Sequence, residues 1–511
     1  MKPSTELFDL IKSLTKSEKR FFKLSSSLQS GDKNYLKIFD TIEKQEIYDE
    51  DAIKDAYKNE TFIKHFPSEK NHLYKLILKS LRSYHSDNSA SSQLKQEIKN
   101  IELLFRKALF KECGKFLKRA KKIAYKNEKF YYLIDLIAWE KMLLDEAFEA
   151  GEFENDLNTL LDEERKVIEQ LKNLVEYQVL YSKINYLFRL GGVIKSESER
   201  NMVDEISHHP LIKDSSLALS IRAQSICYYV RGFCCQAYRD TNGSINNFEK
   251  AITVMDDNPL IKGDLPKRYI RAVTNVIYGY IRVKDYDRAD KLIEMLSNLS
   301  KEKGFDTIDV SILVFFSYSM TKLLFLNRQG RYEEAGKEVE IVIKNMEALD
   351  EKLNKEKQLL LNYLISYIYF GNSNYKQALF WINKVLNDNE NVLRQDIFSY
   401  ARIFNLIIHF ELRNFDLLEY IIKSTNRYLN KKPQNFEVET ILVDYVKRLS
   451  KIQGEEGKIV LFKELKEELE TIFDNPSNRV VLEYVDFRSW INSKIEGVPF
   501  DELVRKRGLP D

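Results

Sequence analysis

Along most of the chain apolar residues recur at steps of three and four, the period that lines one face of an α-helix. In the C-terminal half this becomes a repeated phrase: an aromatic at a turn, a usually small residue three positions on, and apolar residues four and seven beyond that. Tyr286/Ala289/Ile293/Leu296, Tyr332/Ala335/Val339/Val342, Tyr375/Ala378/Ile382/Val385 and Phe415/Leu418/Ile422/Thr425 are its clearest copies. Ser244/Phe248/Ala251 is a fifth, with Thr241 in the aromatic's place and Tyr228 and Gly232 in the preceding helix, and Phe110/Cys113/Leu117/Ala120 carries the phrase upstream. A small residue lets two antiparallel helices approach closely, and the apolar positions after it form the buried stripe of the second helix. The phrase therefore predicts helix pairs. Between these copies, Glu128 to Ala150, Leu160 to Leu190 and Leu217 to Tyr238 are helical by period, with breaks at Gly191-Gly192 and at His208-His209-Pro210.

The segments GRYEEA (Gly330 to Ala335), NYKQALFWINKVL (Asn374 to Leu386) and DYDRADKLIEML (Asp285 to Leu296) give the pattern its closest likeness. It resembles the tetratricopeptide repeat, a helix pair with Gly and Tyr in the first helix and Ala-x3-Phe in the second. The departures are regular. No copy has the repeat's tryptophan, only one has its glycine, and the small positions 244, 289, 335, 378 and 418 lie 45, 46, 43 and 40 residues apart instead of about 34. Pro259 and Pro433 each follow their small position by 15 residues, as helices about one turn longer would require. The resemblance implies an all-α, right-handed superhelix of long-form pairs, roughly nine or ten at about 40 to 45 residues each. It also implies that the first helix of each pair lines a groove, which would place Tyr229, Phe233, Arg271, Asn275, Tyr278, Tyr363, Tyr367, Tyr400 and Phe404 there. Family members that clamp a terminal carboxylate spread Lys, Asn and Arg over three first helices. Here only Arg271 and Asn275 stand at comparable places, and Tyr229, Phe233, Thr321 and Leu324 occupy the others, so the reading favours an aromatic groove for a peptide or amphipathic helix.

The first 85 residues read as a separate bundle of about five helices, with starts at Ser4 or Thr5, at the capping box Thr15-x-x-Glu18, at Asp32, at Asp49 and at Pro67. The polar string Ser86 to Gln93 follows. The expected organisation is a basic N-terminal helical domain at 1–90, a repeat array at 91–478 with its clearest copies at 222–430, and closing helices at 479–511, where Gly497-Val498-Pro499 separates two short helices.

Composition agrees with long helices. Among 511 residues there are 17 Gly and 9 Pro, where average usage gives roughly 36 and 26, so the many tight turns of an all-β fold are missing. Hydrophobic residues at 44% with 31% charged exclude wholesale disorder. The first ten residues lack the apolar stretch of a signal peptide, the apolar run Ile312 to Met320 is short and interrupted, and the four cysteines, Cys113, Cys227, Cys234 and Cys235, are too few to staple the chain. The expectation is a cytoplasmic protein with no membrane segment.

The formal net charge of +2 conceals a division: residues 1–130 carry 28 Lys+Arg against 18 Asp+Glu, a net of +10, and the rest carry 52 against 60, a net of −8. On the helix from about Lys111 to Lys126, Lys111, Lys115, Lys118, Lys122 and Lys126 share a face opposite Cys113, Leu117, Ala120 and Ala124. Shorter ridges are Lys16/Lys19/Lys23 and Lys75/Lys79/Arg82. Such ridges suit phosphate contacts or a solvated face, and the scarcity of arginine on them argues against base readout. Asp49 to Tyr84 has the order of parts of a helix-turn-helix, but its loop, Asn59 to Pro67, is longer than the usual three or four residues.

Catalytic motifs are missing: there is no G-x4-G-K-[ST], H-E-x-x-H or G-x-S-x-G, the six histidines are scattered, and the cysteine spacing does not fit a zinc site. The reading is a non-enzymatic scaffold or adaptor that binds another protein or peptide, without cofactor or metal. The alternative is a peptide-responsive regulator whose basic N-terminal domain meets DNA or a signalling partner; the weight falls on protein over nucleic acid.

Overall fold

The computed structural model describes residues 4–27, 34–86, 89–148, 157–189, 194, 196–388, 395–430, 437–474 and 478–508. Asp32, Gly191-Gly192 and Pro433 lie outside them. Among the described residues there are 26 α-helices with short 3-10 turns and no strand, about 85% helix in all. The chain is all-α, and it divides into two compact units, Met1–Ile168 and Glu169–Asp511.

The first unit opens with α1 (Glu6–Ser13), α2 (Lys16–Ser27), α3 (Asn34–Lys44), α4 (Glu50–Ala56) and α5 (Phe66–Tyr84). The capping box before α2 forms as read: the Thr15 N–H donates to Glu18 Oε2 at 2.7 Å and the Glu18 N–H to Thr15 Oγ1 at 3.2 Å. Asp49 caps α4 by accepting from the Ala52 N–H at 2.9 Å. Ile11, Ile38, Phe39, Ile42, Ile53, Phe66, Leu73 and Ile77 are fully buried between these helices. Then follow α6 (Ala90–Arg106), α7 (Phe110–Lys126) and α8 (Phe130–Phe148), each packed on the next, and α9 (Leu157–Arg189), whose course passes from the first unit to the second. The expected boundary near residue 90 thus falls between two helices of one unit.

In the second unit α10 (Glu197–His208) and the one-turn α11 (Pro210–Lys213) precede α12 (Ile221–Ala237) and α13 (Thr241–Asp256), and the short α14 (Pro259–Asp264) begins at Pro259. Pairs follow: α15 (Pro266–Arg282) with α16 (Tyr286–Asn298), α17 (Ile308–Arg328) with α18 (Tyr332–Leu349), α19 (Lys355–Gly371) with α20 (Tyr375–Leu386), α21 (Gln395–Glu411) with α22 (Phe415–Leu429), and α23 (Glu437–Leu449) with α24 (Glu455–Ile472). Each phrase aromatic begins the second helix of its pair. The small positions Ala289, Ala335, Ala378 and Leu418 are fully buried, as are Val339, Ile382 and Val385 behind them. A Cβ on Gly232 would stand 2.8 Å from the Phe248 ring, so this glycine is what lets α13 lie against α12.

One turn geometry recurs. Ala108, Glu128, Arg239, Lys284, Gly330, Ser373 and Arg413 all have φ between +50° and +66°, and each stands two residues before the start of a helix. The N–H of the residue after each one donates to the carbonyl five residues back, from Leu109 to Leu104 through Asn414 to His409, at 2.8–3.0 Å. These are Schellman caps, which close the last turn of one helix and aim the chain into the next. Only Gly330 is the residue that makes this conformation easy; the others accept roughly 1–2 kcal/mol of left-handed strain. Six non-glycine caps account for about a third of the glycine shortage. The series also finds a copy that the sequence pattern obscures, Phe130/Leu133/Ile137, whose three side chains are buried.

The apolar stretch of α17 is longer than the run Ile312 to Met320. Over 21 residues it is long and apolar enough to cross a membrane, with a mean hydropathy of 1.5 in its best window and half of that window buried against the fold. It packs on α15, α16, α18 and α19.

After α24 the chain continues as a 3-10 turn (Asn478–Glu483), α25 (Phe487–Glu496) and α26 (Phe500–Gly508), with Gly497 left-handed at φ +65° between them. Val481, Val485, Phe487, Trp490 and Ile491 are buried, and through them this segment joins the core of α19 to α24.

Candidate functional site

The residues expected to line a groove sort into three groups. Tyr229 and Phe233, on α12, are 2% and 7% exposed, edge-on to each other at 5.0 Å and to Phe248 of α13 at 5.2 and 5.4 Å. They pack between helices.

Tyr363, Tyr367, Tyr400 and Phe404, on α19 and α21, are brought together, and the C-terminal segment lies on them. Tyr363 Oη donates to the Tyr484 carbonyl at 3.2 Å, and Tyr367 Oη accepts from the Asp486 N–H at 2.9 Å. Tyr400 stacks on Tyr484 with centroids 4.0 Å apart, and Tyr367 stacks on Phe404 at 5.2 Å. Tyr363, Tyr367 and Phe404 are buried as a result. The expected closing helices therefore reach back over aromatic positions that sequence reasoning left open to a partner.

Charge fixes this segment in place. Arg282 of α15 pairs with Glu483 at 3.0 Å, Arg328 of α17 donates to the Glu483 carbonyl at 3.2 Å, and Arg507 pairs with the buried Asp486. Glu411 of α21 accepts from Trp490 Nε1 and Lys494 Nζ, both at 2.7 Å. At the end of α17, a Cβ on Gly330 would meet the Asp501 carbonyl at 2.7 Å and the Arg505 nitrogen at 2.8 Å. Burial, together with the Asp486 charge, pushes the Tyr367 hydroxyl well above its usual value, so it stays protonated.

The third group, Arg271, Asn275 and Tyr278, lies on α15 in a series that sequence reasoning only half recognised: Arg268, Arg271, Asn275, Tyr278 and Arg282 are 3, 4, 3 and 4 residues apart and share one face. Arg271 is exposed, and Arg268, Asn275 and Tyr278 are half-buried. Arg268 donates to Ser225 Oγ at 3.3 Å. Burial and the neighbouring Arg222 and Arg271 charges push its guanidinium down to about 10. Lys357, in the first turn of α19, lies 5.5 Å from the Phe316 ring centroid. Burial and the charges of Arg271 and Lys267 hold its ammonium below the ordinary lysine value. Nearby Arg222 is paired with Asp264 and Lys267 with Asp309. Among the described residues no carboxylate lies within ion-pair distance of Arg268, Arg271 or Lys357. Thr321, by contrast, is fully buried.

In the first unit Lys111, Lys115, Lys118, Lys122 and Lys126 are all exposed on α7, opposite buried Cys113, Leu117, Ala120 and Ala124. None of the five has an ion-pair partner among the described residues. Their neighbours do: Arg119 holds Glu97 at 2.6 and 2.8 Å, and Lys121 bridges Glu140 and Glu163. Of the shorter ridges, Lys75, Lys79 and Arg82 are exposed, whereas Lys19 and Lys23 pair with Glu43.

Cys113, Cys227 and Cys234 are buried and Cys235 half-buried, and burial raises the pKa of each thiol. His209 caps α11 and His208 hydrogen-bonds the Asp204 carbonyl at 2.8 Å. Among the described residues no three His, Cys, Asp or Glu side chains converge as a metal site requires. No family model, curated protein or solved structure matches this chain.

Proposed function

We propose that this chain is a non-enzymatic, cytoplasmic adaptor built as a tetratricopeptide-like superhelix, which binds a peptide or amphipathic helix of another protein on the face formed by the first helix of each pair. The observation that carries the reading is the chain's own C-terminal segment: the face at Arg282, Arg328, Tyr363, Tyr367 and Tyr400 holds it through a carboxylate, three backbone groups and a ring stack. A row of helices that can hold one segment this way has the chemistry to hold another, through aromatic area and directed polar groups. The near-regular spacing of the last five Schellman caps, at Arg239, Lys284, Gly330, Ser373 and Arg413, supports the superhelical reading. With Tyr363, Tyr367 and Phe404 buried, the surface proposed for a partner is centred on the exposed Arg271.

Site-directed photo-crosslinking tests this reading. A benzophenone side chain at Arg271 should capture a discrete protein partner from the native lysate, while the same probe at Ile341, exposed on α18, should not. Equal capture at both positions, or none at Arg271, rejects it.

The exposed lysines of α7 support a second reading, a regulator whose first unit contacts a polyanion such as DNA. Binding of a duplex should then fall steeply with salt, with a slope set by the number of phosphates neutralised. Replacing the five lysines by Gln should flatten that slope.

A further inference from the structure

The face of α15 is only partly used by the chain itself. Its C-terminal residue, Arg282, holds the Glu483 carboxylate at 3.0 Å. Two to four turns back along the same stripe stand Asn275, Arg271 and Arg268, joined by Lys357 from α19. Arg222 and Lys267 have their own carboxylates, Asp264 and Asp309. Among the described residues no carboxylate lies within ion-pair distance of Arg268, Arg271 or Lys357; burial first, and then neighbouring cationic charges, hold the Lys357 ammonium and the Arg268 guanidinium below their ordinary values. Aromatic rings border them, with Phe316 under Lys357, and Tyr229 and Tyr181 beside Arg268. Arg268 and Arg271 on α15 and Lys357 on α19, bordered by these rings, give this face an excess of positive charge.

We propose that Arg268, Arg271 and Lys357, with Asn275, bind side-chain carboxylates of an acidic peptide segment from a partner protein, extending along α15 the recognition that Arg282 already gives to Glu483. The inference rests on the reading of this face as a peptide-binding surface and adds the chemistry of the partner. Two observations favour a peptide over a nucleic acid. The group that Arg282 already holds on this stripe is a peptide side-chain carboxylate, that of Glu483, and Arg268 and Arg271 add guanidinium forks, which match carboxylate geometry. The carboxylates would come from side chains within a segment, so no chain terminus is needed.

The test uses the full-length chain and fluorescein-labelled octaglutamate, with octalysine, a single-stranded oligothymidylate and inorganic phosphate as comparison probes, all followed by anisotropy or competition at low salt. Octaglutamate should bind, octalysine should not, and Arg271→Gln with Lys357→Gln should weaken binding about tenfold or more. Lys115→Gln with Lys118→Gln, on the α7 ridge, should leave it unchanged. Acetylation of Lys357 by a limiting reagent, read by mass spectrometry, should slow about tenfold when octaglutamate is bound, locating the ligand independently of the variants. Failure of octaglutamate to bind, or binding indifferent to Arg271 and Lys357, overturns the proposal. Tighter, equally Arg271-dependent binding of oligothymidylate overturns the choice of peptide, and displacement by phosphate at equal charge overturns it in favour of a simple anion site. If octaglutamate fails while the Arg271 crosslink still captures a partner, the acidic chemistry falls and the adaptor reading stands; if both fail, both fall.

Discussion

The backbone N–H of Asp486 donates to the hydroxyl of Tyr367, 119 positions earlier in the chain, at 2.9 Å and out of contact with water. The bond ties the C-terminal segment to the middle of α19 at a point where neither group has access to solvent. Tyr367→Phe removes the acceptor, keeps the ring stacked on Phe404 and leaves a buried N–H unpaired. The expected cost is about 1–3 kcal/mol, measured as a lower urea midpoint with unchanged helicity. Tyr400→Phe, which keeps the stack on Tyr484, is the comparison.

Gly330 and Ser373 adopt the same left-handed conformation, at φ +66° and +57°, for different reasons. Ser373→Gly relieves strain and should stabilise by up to about 1 kcal/mol. Gly330→Ala adds that strain and drives a methyl into the α26 backbone, so it should destabilise by about 2 kcal/mol or more. Thermal unfolding of the pair should move in opposite directions; equal shifts would show that α26 does not bear on this turn.

Glu439 is 7% exposed on α23, and burial raises its carboxyl to about 7 from an ordinary 4.5. Because the folded value is the higher one, the folded state holds this proton more tightly. The associated stability is fully present below about 4.5 and lost as pH rises through about 7. The difference corresponds to about 3 kcal/mol. Unfolding free energy measured at pH 5 and pH 8 should therefore fall more for the native chain than for Glu439→Gln, which keeps the shape without the charge.

Lys121 and the α7 ridge should respond differently to the same substitution. Lys121 is 14% exposed and bridges Glu140 and Glu163, so Lys121→Gln should cost about 3 kcal/mol by leaving buried Glu140 without this cation. Lys118→Gln, exposed and without an ion-pair partner among the described residues, should change the unfolding free energy by less than about 0.5 kcal/mol.

Periodicity made the helix pairs legible, because the buried stripe after each turn aromatic depends only on neighbours within two turns: Ala289, Val339 and Ile382 are all where the phrase puts them. The Phe130 copy escaped because Leu133 fills its small position and Glu140, buried with Lys121, takes the place of its last apolar residue. The site was harder to read. Tyr363 and Tyr367 carry no local sign that a segment more than a hundred residues later will cover them, and Glu483 and Asp486 carry none that arginines on α15 and α26 await them. Arg268 and Lys357 went unnoticed for a related reason: each is an ordinary cation in its own helix, and only the packing of the helices brings both under the charge of Arg271.

The seven Schellman caps have a consequence for how this chain can change over time. A turn held by backbone handedness and a hydrogen bond to the fifth carbonyl back tolerates many side chains at roughly 1–2 kcal/mol of strain, and Ala, Glu, Arg, Lys, Ser and Gly all occupy it here. Substitution can erase the written repeat letter by letter while each hairpin keeps its sense of rotation, so two descendants of one such array can share a backbone after they have ceased to share a legible sequence.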